Sequence, residues 1–336
     1  MADPPGLDLA ALRAYLDRER PGLVAGPLAA QLIAGGRSNL TYTVGDGARE
    51  WVLRRPPLGH VLATAHDMSR EFRVMSALAG SNVPVPATVL LCQDEDVLGA
   101  PFYLMVKVEG TVFRTSEQVA AALSRPQARE LSFTLVDVLA ELHAVDYEAV
   151  GLGDFGRPDG YLQRQVRRWR GQLDKSRSRE VDGIDELHDT LAASVPASQR
   201  AAIVHGDFRL DNVIVDADRR VAAVLDWEMS TLGDPLADLG LMVVYWRTLM
   251  PLAGATEGNG FAAVDEVIAH YGARTGLDLS HVDWYVGFGF FKLAVVAEGI
   301  YYRYTLGKTV GDGFERYGEL VPQLVRQGNE VLTGRA

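Results

Sequence analysis

The chain has 336 residues, of which 48% are hydrophobic and 23% are charged, as in globular proteins with one large domain or two modest ones. Its formal net charge of −11 argues against a general nucleic-acid-binding role, because such proteins usually carry a basic surface. Its single cysteine, Cys92, excludes an intrachain disulfide and a cysteine-based zinc cluster, and it predicts a reducing compartment.

The sequence also argues against membrane insertion. The first residues are acidic and lack the basic-then-apolar order of a signal peptide. No charge-free apolar run approaches the roughly 18 residues that span a bilayer. The longest runs, near Leu239–Trp246 and Trp284–Phe291, are flanked by charges and predict buried helices. We therefore expect a cytoplasmic protein without a membrane partner.

The first hundred residues predict a small, mostly antiparallel sheet with one inserted helix. The Asp46-Gly47 pair indicates a hairpin turn, and Pro56-Pro57 ends a strand. In chain order we predict a leading helix over Asp8–Glu19, strands over Gln31–Ala34, Leu40–Val44 and Glu50–Arg55, a helix over Asp67–Leu78, and strands over Ala87–Cys92 and Phe102–Val108.

The remainder of the chain predicts a larger, mostly helical part. The change of pattern near Lys107–Gly110 predicts an N-terminal domain over residues 1–107 and a C-terminal domain over residues 108–336. The predicted elements are helices over Pro126–Val145, Gly160–Lys175 and Asp182–Ala193, strands over Ala202–Val204, Val213–Val215 and Val221–Leu225, and helices after Pro235.

The strongest chemical signal is I-V-H-G-D-F-R-L-D-N at residues 203–212, followed by V-L-D-W-E at residues 224–228. Asp207 follows a predicted strand, Asn212 opens the next strand, and Asp226 ends the strand after it. We therefore expect these three side chains to converge at one end of a small sheet. Two oxygen ligands around an open centre suit Mg²⁺, and the third carboxylate can orient a nucleophilic hydroxyl.

This motif resembles the catalytic loop and metal aspartate of the aminoglycoside phosphotransferase and choline kinase superfamily. The segments R-E-F-R-V-M-S-A-L and L-D-W-E-M-S-T-L-G-D-P-L-A-D-L-G look most like the kinase-like domains fused to some acyl-CoA dehydrogenases and their free-standing bacterial relatives. The resemblance runs from about residue 28 to about residue 310. It implies an α+β, two-lobed protein-kinase-like fold, with a small antiparallel-sheet N-lobe carrying one helix and a larger, mostly helical C-lobe.

The resemblance implies roles for the motif residues. Asp207 would accept or orient the proton of the acceptor hydroxyl, and Arg209 would contact the transferred phosphate. Asn212 and Asp226 would bind Mg²⁺. His205 would support the loop by hydrogen bonding rather than take part in catalysis.

Flanking aspartates have expected structural roles. Asp234 and Asp238 would brace the loop and begin the following helix, with Asp234 and Pro235 forming a helix start.

The N-terminal part is expected to bind ATP. In the first hairpin turn, Gly36, Ser38 and Asn39 can approach phosphate oxygens, although a plain hairpin would carry the same glycines. Val52 and Arg54 share one face of a strand by alternation. The family places a cation here that reaches the α- and β-phosphates, so the resemblance implies that Arg54 does this.

Three further assignments depend on the resemblance. Arg55, which points the other way from Arg54, is the alternative phosphate contact. Glu71 resembles the glutamate that pairs with the phosphate-binding cation, but a solvated helix face remains open because arginines flank it. The linker between the lobes corresponds to Met105–Val108, where the backbone of Met105, Lys107 and Val108 would bind adenine.

The acceptor is less well specified. A basic stretch runs over residues 164–179 and includes the segment R-Q-V-R-R-W-R. It could be a solvated helix face with Val166 and Trp169 inward, or a patch for an anionic acceptor such as a coenzyme A thioester or another phosphorylated or carboxylated metabolite. A polycationic aminoglycoside would require carboxylates, and no acidic cluster stands out here, so we rank a metabolic kinase above antibiotic resistance.

We expect an ATP- and Mg²⁺-dependent phosphotransferase whose partners are a nucleotide and a small molecule with a hydroxyl acceptor, possible examples being hydroxyacyl thioesters. The alternatives are an aminoglycoside or antibiotic O-phosphotransferase and a nucleotide-binding pseudokinase. The intact Asp207, Asn212 and Asp226 argue against a pseudokinase. A protein kinase is disfavoured because H-R-D, D-F-G and A-P-E segments are missing.

Overall fold

The computed structural model describes residues 3–33, 39–58, 67–247, 259–309 and 313–334. Its contacts divide the chain into two units. The sheet unit comprises residues 1–111 and 213–228, and the helical unit comprises residues 112–212 and 229–336. The boundary expected from the sequence lies between residues 107 and 108. The sequence analysis did not predict that residues 213–228 group with the first unit.

The strands agree closely with the sequence-based expectation. In chain order they are β1 (Ala29–Leu32), β2 (Leu40–Gly45), β3 (Glu50–Arg55), β4 (Thr88–Cys92), β5 (Phe102–Val106), β6 (Ala202–Val204), β7 (Val213–Val215), β8 (Val221–Val224) and β9 (Thr231–Gly233). Short 3₁₀ turns occupy Leu210–Asn212 and Trp227–Met229.

The helices surround these strands along the chain. They are α1 (Leu9–Glu19), α2 (Met68–Leu78), α3 (Glu95–Leu98), α4 (Ser116–Ala122), α5 (Arg125–Ala144), α6 (Tyr161–Ser176), α7 (Ile184–Ala193), α8 (Leu236–Arg247), α9 (Val264–Thr275), α10 (Val282–Thr305) and α11 (Arg316–Leu332). Among the described residues, no helix combines the length and apolar character that crossing a bilayer requires.

The sheet unit is built on an antiparallel sheet with strand order β1-β2-β3-β5-β4. Alternation along β2 and β3 sends Tyr42, Val44 and Leu53 into a core that α1 covers through Leu12 and Leu16. Asp8 and Asp67 cap α1 and α2 by accepting hydrogen bonds from backbone N–H groups of the first turn. This framework determines which side of the sheet each residue of β3 occupies.

The β7–β8 hairpin joins the sheet unit through backbone hydrogen bonds. Thr111 and Val215 exchange a pair of bonds of 2.8 and 2.9 Å, and the Val224 N–H donates to the Pro84 carbonyl at 2.8 Å. Gly110 has φ of 146°, and a Cβ there would lie 2.6 Å from the Val215 carbonyl oxygen, so this approach requires glycine. Long-range pairing therefore places the hairpin with a sheet distant in sequence.

The core of the helical unit contains α8 and α10. Residues Leu236 to Trp246 of α8 are all buried, and α10 is buried from Trp284 to Phe291. The two apolar runs that resembled membrane candidates are thus core helices, as expected. The predicted α+β class, with an N-terminal antiparallel sheet and a larger helical part, is confirmed.

Some short elements were not predicted from the sequence. These are α3, α4 and β9. β9 pairs antiparallel with β6, with Ile203 opposite Leu232. A strand of three residues that ends in glycine has too little alternation to be recognised before its partner strand is known.

Candidate active site

A cluster of charged side chains surrounds Arg54 within the sheet unit. The Arg54 side chain is 12% exposed, and its Nε lies 3.3 Å from Oε2 of Glu71. Its Nη2 donates to Oδ1 of Asp226 at 2.8 Å and lies 4.0 Å from Glu228. We call these four residues the Arg54 cluster. With three carboxylates and one guanidinium, the cluster carries an excess of negative charge.

Glu71 is the buried centre of this cluster. It is 1% exposed and accepts hydrogen bonds from the hydroxyl of Tyr103 at 2.9 Å and from Nδ2 of Asn39 at 3.2 Å. Burial raises the pKa of Glu71, while the positive charge of Arg54 opposes that rise. The solvated-face interpretation is therefore wrong for Glu71, because α2 turns this position inward and leaves Arg73 exposed.

Asp226 has an unusual backbone. It follows β8 and has φ of 65°, in the left-handed region that residues other than glycine rarely adopt. Aspartate tolerates this conformation better than most residues, and such outliers cluster at functional sites. The conformation directs one carboxylate oxygen to Arg54.

Arg55, the alternative phosphate contact, is held by the protein itself. It is buried, and its guanidinium donates to the carbonyl oxygens of Gly6 and Leu98. Its side chain therefore has a structural role in the sheet unit. Val52 precedes Arg54 on the same face of β3 and is paired with Thr43 of β2.

The other expected nucleotide contacts are placed as follows. Gly36 and Ser38 lie outside the described residues. Nδ2 of Asn39 donates to the carboxylates of Glu71 and Glu228, so this amide supports the Arg54 cluster. Nucleotide binding by these residues stays a prediction.

The expected adenine-binding segment forms the end of β5 and the residues after it. Met105 lies within β5, and the backbone N–H of Lys107 donates to the Glu50 carbonyl at 3.3 Å. The Lys107 ammonium pairs with Glu50 and Glu109. Val108 follows Lys107 in the chain. Adenine binding by Met105, Lys107 and Val108 remains a prediction.

In the helical unit, the loop His205–Asn212 presents the carboxylate of Asp207 with defined partners. Its Oδ1 accepts a hydrogen bond of 2.6 Å from the Tyr245 hydroxyl. Its Oδ2 lies 3.2 Å from Nδ2 of Asn212 and 3.2 Å from Nε of Arg209. The structure thus brings Asp207, Arg209 and Asn212 together. Asp226 lies with Arg54, and convergence of Asp207, Asn212 and Asp226 remains a prediction.

Asp238 on α8 braces this loop from below. Its carboxylate accepts the backbone N–H groups of His205 at 2.6 Å and of Gly206 at 2.8 Å. It also lies 3.3 Å from Nε2 of His143. Burial acts to raise the pKa of Asp238, but the hydrogen bonds from His143 and Gly206 bring it below its usual value. The expected bracing role of Asp238 is confirmed.

Two more predicted structural roles agree with the contacts. Nδ1 of the fully buried His205 accepts the backbone N–H of Asp207 at 3.2 Å. Asp234 accepts the backbone N–H of Leu236 at 2.9 Å, at the start of α8, and the hydroxyl of Tyr285. These bonds hold the loop and the helix start from inside the helical unit.

Sequence reasoning missed two side chains at this loop. Tyr245 donates to Asp207, and Nζ of Lys292 donates to the Gly206 carbonyl at 2.5 Å. Both residues lie in apolar helices that were interpreted only as core. A single lysine within the apolar sequence of α10 is the signal that could have identified Lys292.

Most cations of the basic stretch are used within the helical unit. Arg170 and Arg177 both pair with Asp185, and Arg179 pairs with the buried Glu298. Arg164 donates to backbone carbonyls. The expected inward packing of Val166 and Trp169 is confirmed, since both are buried.

The oxygen donors have the chemistry that Mg²⁺ prefers. Because Nδ2 of Asn212 donates to the Asp207 carbonyl at 2.9 Å, its amide oxygen is the end that can bind a cation. Asp226 contributes a carboxylate to the Arg54 cluster, which carries an excess of negative charge. Within the described ranges, no group of at least three His, Cys, Asp or Glu side chains is arranged as a metal site. Mg²⁺ commonly uses one or two carboxylates together with substrate phosphates.

Comparison with known proteins identifies a family. Residues 29–275 match the model of the phosphotransferase enzyme family. The chain is 33% identical, over 96% of its length, to chicken (Gallus gallus) acyl-CoA dehydrogenase family member 11, and the match covers 43% of that relative. The chain thus spans less than half of this relative's length.

Solved structures show the same architecture. A candidate aminoglycoside phosphotransferase from Ralstonia eutropha has a TM-score of 0.86 and 33% identity, covering 97% of this chain and 98% of that one. Choline kinase from Cryptosporidium parvum has a TM-score of 0.68 and 13% identity, covering 98% of this chain and 97% of that one, a likeness of fold alone. The expected kinase-like fold is confirmed.

Proposed function

Because the chain belongs to the phosphotransferase enzyme family, we propose that it is an ATP- and Mg²⁺-dependent kinase acting on a hydroxyl group of a small molecule. The observation that carries this proposal is the oriented carboxylate of Asp207. An ionised carboxylate has about four acceptor positions. Two hydrogen bonds, from Tyr245 and Asn212, leave acceptor positions open for the hydroxyl of an acceptor, while Nε of Arg209 lies 3.2 Å from Oδ2 as an ion pair.

Asp207 orients the acceptor alcohol and receives its proton as the oxygen–phosphorus bond forms. As that bond forms, the bond between the γ-phosphorus of ATP and its bridging oxygen breaks and ADP leaves; a bound Mg²⁺ would neutralise charge on the phosphates. We propose Asn212 and Asp226 as the oxygen ligands of the ion. Arg209, within the same loop as Asp207, supplies positive charge toward the transferred group.

Arg54 is proposed to contact the nucleotide phosphates. Its pairing with Glu71 and Asp226 fixes the guanidinium, and an arginine so held presents its donors in a planar fork that suits phosphate oxygens. Lysine would provide a point charge instead. The arginine is thus compatible with an active kinase.

The acceptor class that we propose is an anionic metabolite with a hydroxyl group, such as a hydroxyacyl thioester. The similarity to acyl-CoA dehydrogenase family member 11 supports an acyl substrate, although that name describes a protein more than twice as long as the match. The sequence of the basic stretch, residues 164–179, contains no acidic cluster. A polycationic acceptor would need such carboxylates, so this stretch gives no support to an aminoglycoside acceptor.

The test is ADP release from Mg²⁺-ATP across a library of hydroxyacyl thioesters, amino alcohols and sugars. We expect acceptor-dependent ADP release, lowered by ~10²–10⁴ in Asp207→Asn, the usual contribution of a positioned base. Asp218→Asn, in an exposed turn, is the matched control and retains the wild-type rate. An unchanged rate in Asp207→Asn would refute the assigned base, and ATP binding without turnover on any acceptor would favour a pseudokinase.

A further inference from the structure

Lys292 is a cation beside the His205–Asn212 loop, and it forms no ion pair with a carboxylate of the described residues. It projects from α10, and its ammonium donates to the carbonyl oxygen of Gly206, the residue before Asp207. The same ammonium lies 5.5 Å from the centroid of the Trp169 ring. In the part of the chain that the structure describes, no carboxylate forms an ion pair with Lys292.

An ammonium group has three N–H donors, and Gly206 accepts from one of them. Burial lowers the pKa of Lys292, whereas the negative charges of Asp207 and Asp238 act to raise it. Withdrawing a cation from water is costly unless an anion or several acceptors compensate. Lys292 therefore has unused capacity to bind an anion.

Trp169 gives an independent indication at the same place. It is 7% exposed, and its indole N–H is buried and donates to no acceptor in the described structure. Leaving such a donor unsatisfied costs roughly 1–3 kcal/mol. The guanidinium of the exposed Arg168 lies 5.8 Å from the Trp169 ring, and its charge lowers the pKa of Lys292. Two cations and an unsatisfied donor thus meet at one ring.

We propose that Lys292, Trp169 and Arg168 form a subsite for an anionic group, a carboxylate or a phosphate, of the molecule whose hydroxyl is phosphorylated. This inference rests on the proposed function, since it places the subsite next to Asp207. Gly206 and Asp207 are adjacent in the chain, so an anion on Lys292 keeps the hydroxyl of a small molecule near Asp207. The subsite therefore selects short hydroxy acids, their phosphorylated analogues or larger molecules with such a unit.

The test is calorimetric titration of the full chain, in the presence of Mg²⁺-ADP, with three probes. 3-Hydroxybutyrate carries a carboxylate, glycerol 3-phosphate carries a phosphate, and 1,3-butanediol is neutral. We expect at least one anionic probe to bind more than ~10-fold tighter than the diol, as a charge-assisted hydrogen bond predicts. The anionic probe that binds more tightly shows whether the subsite prefers a carboxylate or a phosphate.

Variants assign the preference to residues. Lys292→Met should weaken binding of the preferred anion by ~10–100-fold, while Lys292→Arg should retain most of it. Trp169→Phe keeps the ring and removes the N–H, and it should weaken anion binding by ~3–10-fold. Arg167→Met, on the same helix, is the control and should bind the anion like wild type, because Arg167 is exposed and forms no ion pair within the described residues.

The outcomes separate the two proposals. Equal affinity of the wild type for anions and diol, or unchanged anion binding in both Lys292→Met and Trp169→Phe, would overturn the subsite. If Lys292→Met does not fold, Trp169→Phe decides. Selective anion binding without phosphoryl transfer to any acceptor would sustain the subsite and refute the kinase, whereas turnover without anion selectivity would do the reverse.

Discussion

The hydroxyl of Tyr245 donates a hydrogen bond of 2.6 Å to Oδ1 of Asp207. Tyr245 is 8% exposed, and its burial together with the nearby carboxylate raises its pKa well above the usual value, so it remains a proton donor at neutral pH. The Tyr245 ring also lies 5.1 Å from the guanidinium of Arg209. One side chain of α8 thus orients both the proposed base and its neighbouring cation.

Replacement of Tyr245 by phenylalanine should lower kcat by ~10-fold and leave the KM for ATP within ~2-fold, because the ring and its contact with Arg209 remain while one hydrogen bond to a charged group is lost. Steady-state ADP release measures both parameters. Tyr304→Phe, at a 40% exposed position, is the control and should not change either. A wild-type kcat in Tyr245→Phe would contradict a positioning role.

Arg54→Met should destabilise the protein by about 3–5 kcal/mol, because it leaves the buried carboxylate of Glu71 without its cation. Urea unfolding followed by circular dichroism measures the loss. Adding Glu71→Gln to Arg54→Met should restore part of it, since the uncompensated charge is removed.

The matched control for Arg54 is Arg18→Met, which breaks an exposed ion pair with Glu19 and should leave the unfolding midpoint unchanged. A similar midpoint for Arg18→Met and Arg54→Met would show that the Arg54 cluster does not stabilise the sheet unit.

Gly206→Ala should disturb the His205–Asn212 loop. Gly206 has φ of 84°, and a Cβ there would lie 2.8 Å from the backbone oxygen of Met229. Gly99→Ala is the control, because Gly99 has φ of 79° and the described structure has no contact within 4 Å of the added Cβ. The Gly99→Ala substitution should lower the free energy of unfolding by roughly 1–2 kcal/mol, the cost of the left-handed backbone alone. We expect a larger loss of unfolding free energy in Gly206→Ala, with kcat lowered by ~10-fold or more. Equal losses in the two variants would argue that contact with Met229 is unimportant.

Binding of the anionic probe that the proposed subsite prefers should weaken as pH rises from about 7 to about 10, because the subsite needs the Lys292 ammonium and burial lowers the pKa of this group. The charged groups that face it are Arg168 on α6, Asp207 in the loop and Asp238 on α8. Calorimetric dissociation constants across this range measure the effect.

The contribution of Lys292 to protein stability should depend on pH in the opposite direction to ligand affinity. Above its lowered pKa the folded protein binds fewer protons than the unfolded chain, so the free energy of unfolding contributed by this group rises with pH. In Lys292→Arg both dependences should be lost, since arginine stays charged throughout. Retention of the affinity change in this variant would assign it to another group.

Local sequence predicted the elements well. The bounds of β3 and β6 match the expectation, and α1 and α2 begin one residue after the predicted start, where Asp8 and Asp67 act as caps. Periodicity and capping are properties of neighbouring residues, so they can be recognised without the fold.

The candidate site could be predicted only in part. The motif indicated Asp207 and Asn212, and they are neighbours in the structure. It did not indicate Tyr245 or Lys292, because each lies in a separate helix whose apolar pattern predicts only burial. Whether a polar side chain in a buried helix faces a loop depends on how that helix packs.

The sequence by itself determined the order of the longer strands and helices, the phosphotransferase motif and the inward positions of Val166 and Trp169, because these depend on spacing along the chain. Only the tertiary structure decided that Glu71 is buried against Arg54 and that Asp185 takes two cations of the basic stretch. Ion pairs and unsatisfied donors depend on distances between remote segments. Those distances become defined only when the chain folds.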